Sequence, residues 1–154
     1  MAERMTRSAV LGLIRSGRAD LEVALGRLDE GRLTTPGLAG GQWSAKDLMA
    51  HVTFWESSMV QRLGGPKPPT EWAGDLDSTN AAVYERNRSR PLADIRHDFD
   101  AVHRDLVARV ERLSEDELNS VRAAGGDQVV WEEIRSETWD HYPEHVTDLK
   151  GNPG

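Results

Sequence analysis

The chain has 154 residues, of which 38% are hydrophobic, and a formal net charge of −7. A chain of this length can bury a core as one domain without disulfides. Nucleic acids and anionic membranes bind basic faces, so the acidic composition predicts neither as a partner. The sequence contains no cysteine, which excludes disulfides, thiolate nucleophiles and zinc sites with cysteine ligands. A metal site would have to use histidine, aspartate and glutamate.

Targeting and membrane signals are weak. No stretch approaches the roughly 20 apolar residues of a membrane span. The apolar run at 9–14 is followed by Arg15 and lacks a small-residue cleavage site, so it is not typical of a secretory signal. We therefore predict a cytoplasmic protein in which residues 1–150 form one domain and residues 151–154 form a short tail.

The first half of the chain predicts two long helices joined by a loop. Apolar residues at helical spacing predict a first helix over about residues 3–30. These residues are Val10, Ile14, Leu21, Leu25 and Leu28. Residues 31–42, rich in Gly and Thr, predict a loop. Ser44 and Asp47 are typical of a capping box, and a second helix is expected from there to about Leu63.

The second half predicts two further long helices. Gly and Pro residues over 64–69 end the second helix, and a long connection with a short helix at 78–87 follows. Connections of this length are uncommon and are often functional or required by the topology. The third helix is predicted to begin at Pro91, a short capped helix follows near Ser114, and a fourth helix covers about 128–150. Four long helices predict an all-α protein, a four-helix bundle.

A pair of histidines stands out in the fourth predicted helix. His141 and His145 are four residues apart. At about 100° per residue, both lie within about 60° of Ile134 on the predicted buried side. Two imidazoles one turn apart can bind one metal ion. A buried imidazole without a hydrogen bond or a metal is unfavourable, so the pair requires partners.

His51 is the predicted third ligand. It lies about 10 Å from the start of the second helix, and the midpoint of His141 and His145 lies about 9 Å from the end of the fourth. These levels coincide only if the two helices are antiparallel. An up-down-up-down bundle makes them parallel, whereas a long crossover between the second and third helices gives an up-down-down-up bundle. The three-histidine site therefore requires the crossover.

Three residues near the predicted ligands have a structural and a functional interpretation. Trp55 is either a core residue or the wall of a pocket that binds a cofactor or substrate above the ion. Glu137 and Asp148 are either acceptors for the outer N–H groups of metal-bound histidines or ordinary solvated carboxylates.

Three more polar residues are less closely connected with the site. Glu56 has the same two interpretations as Glu137. His97 lies on the outer side of the third predicted helix and is expected to be solvated. His103 borders the buried stripe of that helix and is expected to have a structural role.

Two segments carry a family resemblance: WSAKDLMAHVTFWE at 43–56 and DHYPEH at 140–145. They are similar to segments of the DinB/YfiT-like superfamily and resemble most closely its ClbS/DfsB branch, with its W-S-x-K-D-x-x-x-H-x-x-x-W-E and H-Y-x-E-H patterns. Residues 87–92 and 113–118 also fall where that branch has them, so the resemblance covers nearly the whole chain.

The resemblance implies an up-down-down-up bundle and, as in many superfamily members, a divalent metal ion on His51, His141 and His145. The metal is left open among zinc, nickel, manganese and iron. One residue opposes this arrangement. Pro143 lies between two of the predicted ligands, where it removes a helical hydrogen bond and bends the chain. The kink that we expect there can turn His141 away from His145.

Two functions are consistent with these features. The first is an enzyme acting on a small molecule between the helices, because three neutral ligands leave a metal ion doubly positive with an open position. The resemblance implies either a hydrolase that protects against a reactive natural product or a thiol-dependent transferase or isomerase. A low-molecular-weight thiol would then be a bound cofactor. The second is a non-catalytic protein that binds or sequesters a small molecule or a metal, as a homodimer formed through exposed tryptophans such as Trp72 or Trp139.

Overall fold

The structure, a computed structural model, describes residues 3–64, 74–122 and 126–151. Within these ranges the helices are α1 (Arg7–Gly26), α2 (Glu30–Leu33), α3 (Ala45–Arg62), α4 (Leu76–Asn87), α5 (Leu92–Arg112), α6 (Glu115–Leu118), α7 (Val130–Glu137) and α8 (Tyr142–Lys150). A 3-10 turn covers Leu38–Gly40, and Val121 pairs with Val129 in one antiparallel bridge. The prediction of an all-α protein is confirmed. Of the helices described, none is long and apolar enough to span a membrane.

The capping box predicted at the start of the second helix is formed. The Ser44 hydroxyl accepts from the Asp47 backbone N–H at 3.2 Å, and Asp47 Oδ2 accepts from the Ser44 backbone N–H at 2.8 Å. Such reciprocal bonds satisfy two amides that have no partner within the helix. They fix the first turn of α3, and with it the level of His51 along the bundle.

Ion pairs along α1 and α5 establish that these helices are antiparallel. Arg15, in the first half of α1, lies 3.0 Å from Glu111 at the end of α5. Glu30, just beyond α1, lies 3.5 Å from Arg96 near the start of α5. The start of one helix is therefore beside the end of the other.

Contacts between α3 and α5 establish that they are parallel. Lys46 Nζ, at the start of α3, donates to the Arg90 carbonyl just before α5 at 2.7 Å. Arg109 near the end of α5 donates to the Gly64 carbonyl just after α3 at 3.5 Å. A connection between parallel helices must cross the length of the bundle, and part of this one lies at 65–73, outside the described residues.

The last part of the chain runs antiparallel to α3. Arg62, the last residue of α3, lies 3.4 Å from Glu133 in α7, whereas His51 in the first half of α3 is beside His145 in α8. With α1, α3, α5 and the α7–α8 pair as its four members, the bundle is up-down-down-up. The predicted topology is confirmed.

The core of the described residues consists of two large clusters and one small cluster of buried residues. The first includes Leu21, Leu25, Leu48, Val52, Ile95, Phe99, Tyr142 and Leu149. The second includes Val10, Ile14, Met59, Leu106, Val110, Val130, Trp131 and Ile134. Because α3 contributes to both clusters and also packs against α4 through Phe54, Trp55 and Val83, most of its circumference is enclosed. Polar residues on α3 therefore lie inside the protein.

The segment predicted as one fourth helix, 128–150, consists of two helices, so this prediction is wrong. Thr138 has φ −128° and ψ −98°, and its carbonyl accepts from the backbone N–H groups of both His141 at 2.9 Å and Tyr142 at 2.8 Å. Pro143 lies in the first turn of α8, where a missing N–H removes no helical bond. The expected kink is therefore a break just before the proline.

The loop predicted at 31–42 contains more helix than expected. The first helix ends at Gly26 rather than near residue 30, and Asp29 begins α2 by accepting from the Arg32 backbone N–H at 2.9 Å. An aspartate side chain that bonds to the backbone competes with continuation of a helix and favours a new start.

Candidate metal centre

Three histidines from two parts of the chain meet at one point. His51 lies in α3, His145 in α8, and His141 in the turn just before α8. Nε2 of His141 is 3.1 Å from Nε2 of His51 and 2.8 Å from Nε2 of His145. One ligand nitrogen of each residue lies within 4.8 Å of the other two. The structure therefore brings together the three residues predicted from the sequence.

The turn that interrupts the last helix keeps His141 in place. Pro143 prevents the chain from reaching α8 as a continuous helix, but the two bonds accepted by the Thr138 carbonyl close the turn tightly. The Thr138 hydroxyl is itself anchored by donating to the Ile134 carbonyl at 2.7 Å. The predicted loss of the histidine pair through the kink does not occur, because the break lies before His141 rather than between the two rings.

Burial keeps the three imidazoles neutral. Burial, and next the neighbouring His145 and His141, lower the pKa of His51 to about 3. Burial, followed by His145, lowers the pKa of His141 to about 4 against the opposing effect of Glu56. Burial also lowers the pKa of His145, although Asp148 acts in the opposite direction. At neutral pH each ring therefore offers a nitrogen lone pair, which is the form that binds metal ions.

Asp148 orients one of the rings. His145 Nδ1 lies 3.2 Å from Asp148 Oδ2. A carboxylate at that distance fixes the ring proton on Nδ1 and leaves Nε2 as the acceptor, as in the outer shell of metal-bound histidines. Of the two interpretations of Asp148, the structure favours the acceptor.

The other two outer nitrogens are buried, and neither makes a hydrogen bond of good geometry with the described residues. The Asn80 side chain raises the pKa of His51, and the Glu137 backbone, after the charge of Glu56, raises the pKa of His141. Both are hydrogen-bond acceptors that lie close to the rings. Glu137 therefore approaches the site through its backbone rather than through its carboxylate.

The spacing of the three nitrogens suits a metal ion. Histidine nitrogens bind zinc at about 2.0–2.1 Å, so two ligands of one ion lie about 2.9–3.4 Å apart. The observed separations of 2.8 and 3.1 Å are close to this range. With the ring protons on Nδ1, the Nε2 lone pairs face one another, which is unfavourable unless a cation lies between them. The residues present therefore fit the metal ion that the resemblance implies.

A cleft of about 450 Å³ includes the three histidines. Its other lining residues are Trp43, Trp55, Leu76, Asn80, Ser136, Glu137 and Glu144. Trp55 is only 5% exposed, and its Nε1 donates to Asn80 Oδ1 at 2.9 Å. Trp55 thus packs in the core and also lines the cleft, and its contact with a cofactor or substrate stays a prediction.

Trp43 is a cleft residue that we did not single out from the sequence. Its ring stacks on Tyr84, with centroids 6.1 Å apart and planes 7° apart, and lies 5.1 Å from the His51 ring. The signal was available, because Trp43 opens the segment of 43–56 that carries the resemblance. Together with Trp55 it gives the cleft an aromatic wall.

The remaining candidates have other surroundings. His97 is exposed, as predicted. The Glu137 carboxylate lies 3.2 Å from Arg62, and burial raises the pKa of Glu137 despite this arginine. Trp139 is half-buried against the second core cluster, so the prediction that it is exposed is wrong. Trp72, the other tryptophan proposed for a dimer contact, lies outside the described residues.

Glu56 is neither solvated nor bonded to a metal-ligand histidine. It is fully buried. Arg18 Nη1 donates to its Oε2 at 3.2 Å, His103 Nδ1 lies 2.7 Å from its Oε1, and the Tyr142 hydroxyl donates to the same oxygen. The structural role expected for His103 is confirmed, and the two expectations for Glu56 are wrong, because α3 is enclosed at this level.

Several crystal structures have the same fold over nearly the whole chain. One is an uncharacterised protein from Escherichia coli UTI89, with 14% identity, a TM-score of 0.78, and coverage of 94% of this chain and 91% of that chain. Another is a protein from Streptococcus pneumoniae, with 12% identity, a TM-score of 0.78, and coverage of 97% and 91%. A third is the colibactin self-resistance protein ClbS, solved in complex with double-stranded DNA, with 17% identity, a TM-score of 0.78, and coverage of 97% and 96%. No curated protein matches the sequence.

The ClbS complex corrects one prediction. The acidic composition led us to expect no nucleic-acid partner, yet a protein of this fold has been crystallised with double-stranded DNA. A net charge is a sum over the whole chain, whereas contact with a phosphate backbone depends on local charge. The exclusion of nucleic acid was therefore wrong.

The family is established by a match of the sequence to a family profile. The profile of the DinB superfamily matches residues 13–146, which include all three histidines. ClbS, which represents the branch that the two sequence segments resemble, is among the proteins with the same fold. The chain belongs to the DinB superfamily.

Proposed function

We propose that this protein is a metal-dependent enzyme that acts on a small molecule, with a divalent metal ion held by His51, His141 and His145. The convergence of three neutral imidazole nitrogens in an open cleft supports this most directly. When bound there, the ion would act as a Lewis acid or lower the pKa of a bound water molecule.

Residues of the cleft have separate tasks in this proposal. Trp43 and Trp55 bind the apolar part of the substrate and exclude water from one side of the site. Glu144 also lines the cleft, and its carboxylate can accept or deliver protons. The Glu137 carboxylate pairs with Arg62 instead.

The family resemblance and the absence of cysteine both bear on the reaction class. Hydrolysis needs only the site and water. Transfer or isomerisation with a thiol would need a low-molecular-weight thiol, because the chain has no cysteine. ClbS, described as a self-resistance protein, supports a protective reaction on a reactive small molecule.

Turnover should depend on the metal. We expect protein stripped with a chelator to be inactive towards a panel of electrophilic small molecules, such as epoxides and activated esters. Zinc, nickel, manganese or iron should restore activity, with or without an added thiol. Product would be measured by mass spectrometry with substrate in large excess. Equal turnover by the metal-free protein would contradict metal dependence.

Two variants make the assay specific for the site. His145→Ala should remain inactive after metal is added, whereas His97→Ala, which changes an exposed histidine, should respond like the wild type. Substrate that is bound but recovered unchanged would instead indicate a binding or sequestering protein.

A further inference from the structure

The buried carboxylate of Glu56 joins all four members of the bundle. It belongs to α3, and its partners Arg18, His103 and Tyr142 come from α1, α5 and α8. A fully buried carboxylate is tolerated only with donors and a countercharge. Glu56 therefore requires α1, α3, α5 and α8 to pack in one arrangement, in which all three partners reach its carboxylate.

Arg18 makes this point rigid. Its side chain is 3% exposed, its Nη2 donates to the Phe99 carbonyl at 2.9 Å, and its guanidinium carbon lies 3.5 Å from the centre of the Phe99 ring. The Arg18 guanidinium, which neutralises Glu56, is therefore fixed by contacts with α5 as well as by its position in α1.

Glu56 also connects the two segments that carry the candidate metal ligands. Tyr142 stands between His141 and His145 in the chain, and Glu56 shares α3 with His51. The bond from the Tyr142 hydroxyl to Glu56 is thus a second connection between α3 and the start of α8, independent of any metal ion.

The Tyr142 side chain is confined around this bond. It is fully buried, and a Cβ added at Gly17 in α1 would lie only 2.9 Å from its Cδ2. The hydroxyl donates to Glu56 Oε1. A confined ring with one strong acceptor has one available position.

We propose that Tyr142 and Glu56 are positioning residues of the candidate metal centre, whose hydrogen bond holds His141 and His145 against α3 before a metal binds. The inference rests on the proposed metal site. Without this bond, the irregular turn before α8 would have to be ordered when the metal binds. Ordering a segment at the moment of binding lowers affinity.

Tyr142→Phe removes the hydroxyl and keeps the ring. We expect it to lower zinc affinity by about tenfold, because the turn before α8 must then be ordered when the metal binds. It should also alter the visible absorption of the cobalt-loaded protein, which reports ligand geometry. Zinc affinity would be measured by competition with a chelating dye. Tyr84→Phe is the matched control, because Tyr84 is the other of the two tyrosines and stacks on Trp43 in the cleft; both readouts should stay unchanged.

Glu56→Gln weakens the bond from the other end, because a neutral amide oxygen accepts less strongly than a carboxylate, and it decides the question alone if Tyr142→Phe does not fold. The double variant should lose about as much zinc affinity as Tyr142→Phe alone, because that change has already removed the bond that Glu56→Gln weakens. A purely structural role would lower the melting temperature of the metal-free variants while leaving zinc affinity and cobalt absorption unchanged, and that outcome would overturn the inference alone. A wild-type protein that binds none of zinc, nickel, manganese and iron would overturn the proposed function and this inference together.

Discussion

Zinc affinity is expected to fall by more than about a hundredfold when His51, His141 or His145 is replaced by Ala. Each residue supplies one of three protein ligands, and loss of a ligand should exceed the roughly 10–100-fold effect of losing an outer partner. Metal that binds only the folded protein stabilises it by about 2.7 kcal/mol at a hundredfold excess over the dissociation constant. Added zinc should therefore raise the melting temperature of the wild type and of none of the three variants.

His97→Ala controls for the loss of an imidazole. His97 is exposed on α5, so this variant should show the same zinc-dependent rise in melting temperature as the wild type. If the three ligand variants kept the full rise, the assignment of the ligands would be wrong, whatever metal the protein contained.

Arg18→Met is expected to destabilise the protein by about 3–5 kcal/mol, because it leaves Glu56 buried without its countercharge. Arg18 and Glu56 are 3% and 0% exposed, and their ion pair measures 3.2 Å. The free energy of unfolding would be measured by urea denaturation of the metal-free protein. Arg18→Met combined with Glu56→Gln should recover part of the loss, since the second change removes the buried charge.

Arg15→Met is the matched control for this variant. It changes the same residue type in the same helix, and Arg15 forms an ion pair of 3.0 Å with Glu111, but these side chains are 59% and 50% exposed. Exposed pairs contribute about 0–1 kcal/mol, so the change should be small. Equal losses from Arg15→Met and Arg18→Met would contradict a special role of the buried pair.

The topology and the site could be predicted from the sequence because they depend on regular geometry. The rise per residue of a helix places His51 and the later pair at one level only if their helices are antiparallel. The Pro-rich end of the second helix and the long connection allow that arrangement. The apolar stripes and the cap at Ser44 define where the helices begin and end, and therefore the level of each histidine along the bundle.

The break before α8 could not be predicted from the same pattern. Ile134, Thr138, His141, His145 and Leu149 continue one helical stripe across it. A tight turn that preserves the direction of the chain also preserves such a stripe, so periodicity does not distinguish the two. Pro143 indicated a disruption, but a proline is compatible with both a kink within a helix and the first turn of a new one.

The buried charge network could not be predicted from the apolar pattern, because the buried face of a helix is identified from its apolar residues. In α1 the stripe has a gap of seven residues between Ile14 and Leu21. Arg18 lies four residues after the first and three before the second, which is a stripe position. An arginine at such a position indicates a buried partner of opposite charge, and Glu56 is that partner.

The central claim is that one divalent metal ion binds between the Nε2 atoms of His51, His141 and His145. Crystals of protein purified without an affinity tag and grown with zinc would be measured at the zinc absorption edge. We predict one anomalous peak at about 2.0–2.1 Å from each of the three nitrogens. Crystals grown with zinc that show no peak between these rings, or zinc bound only elsewhere on the chain, would contradict the claim.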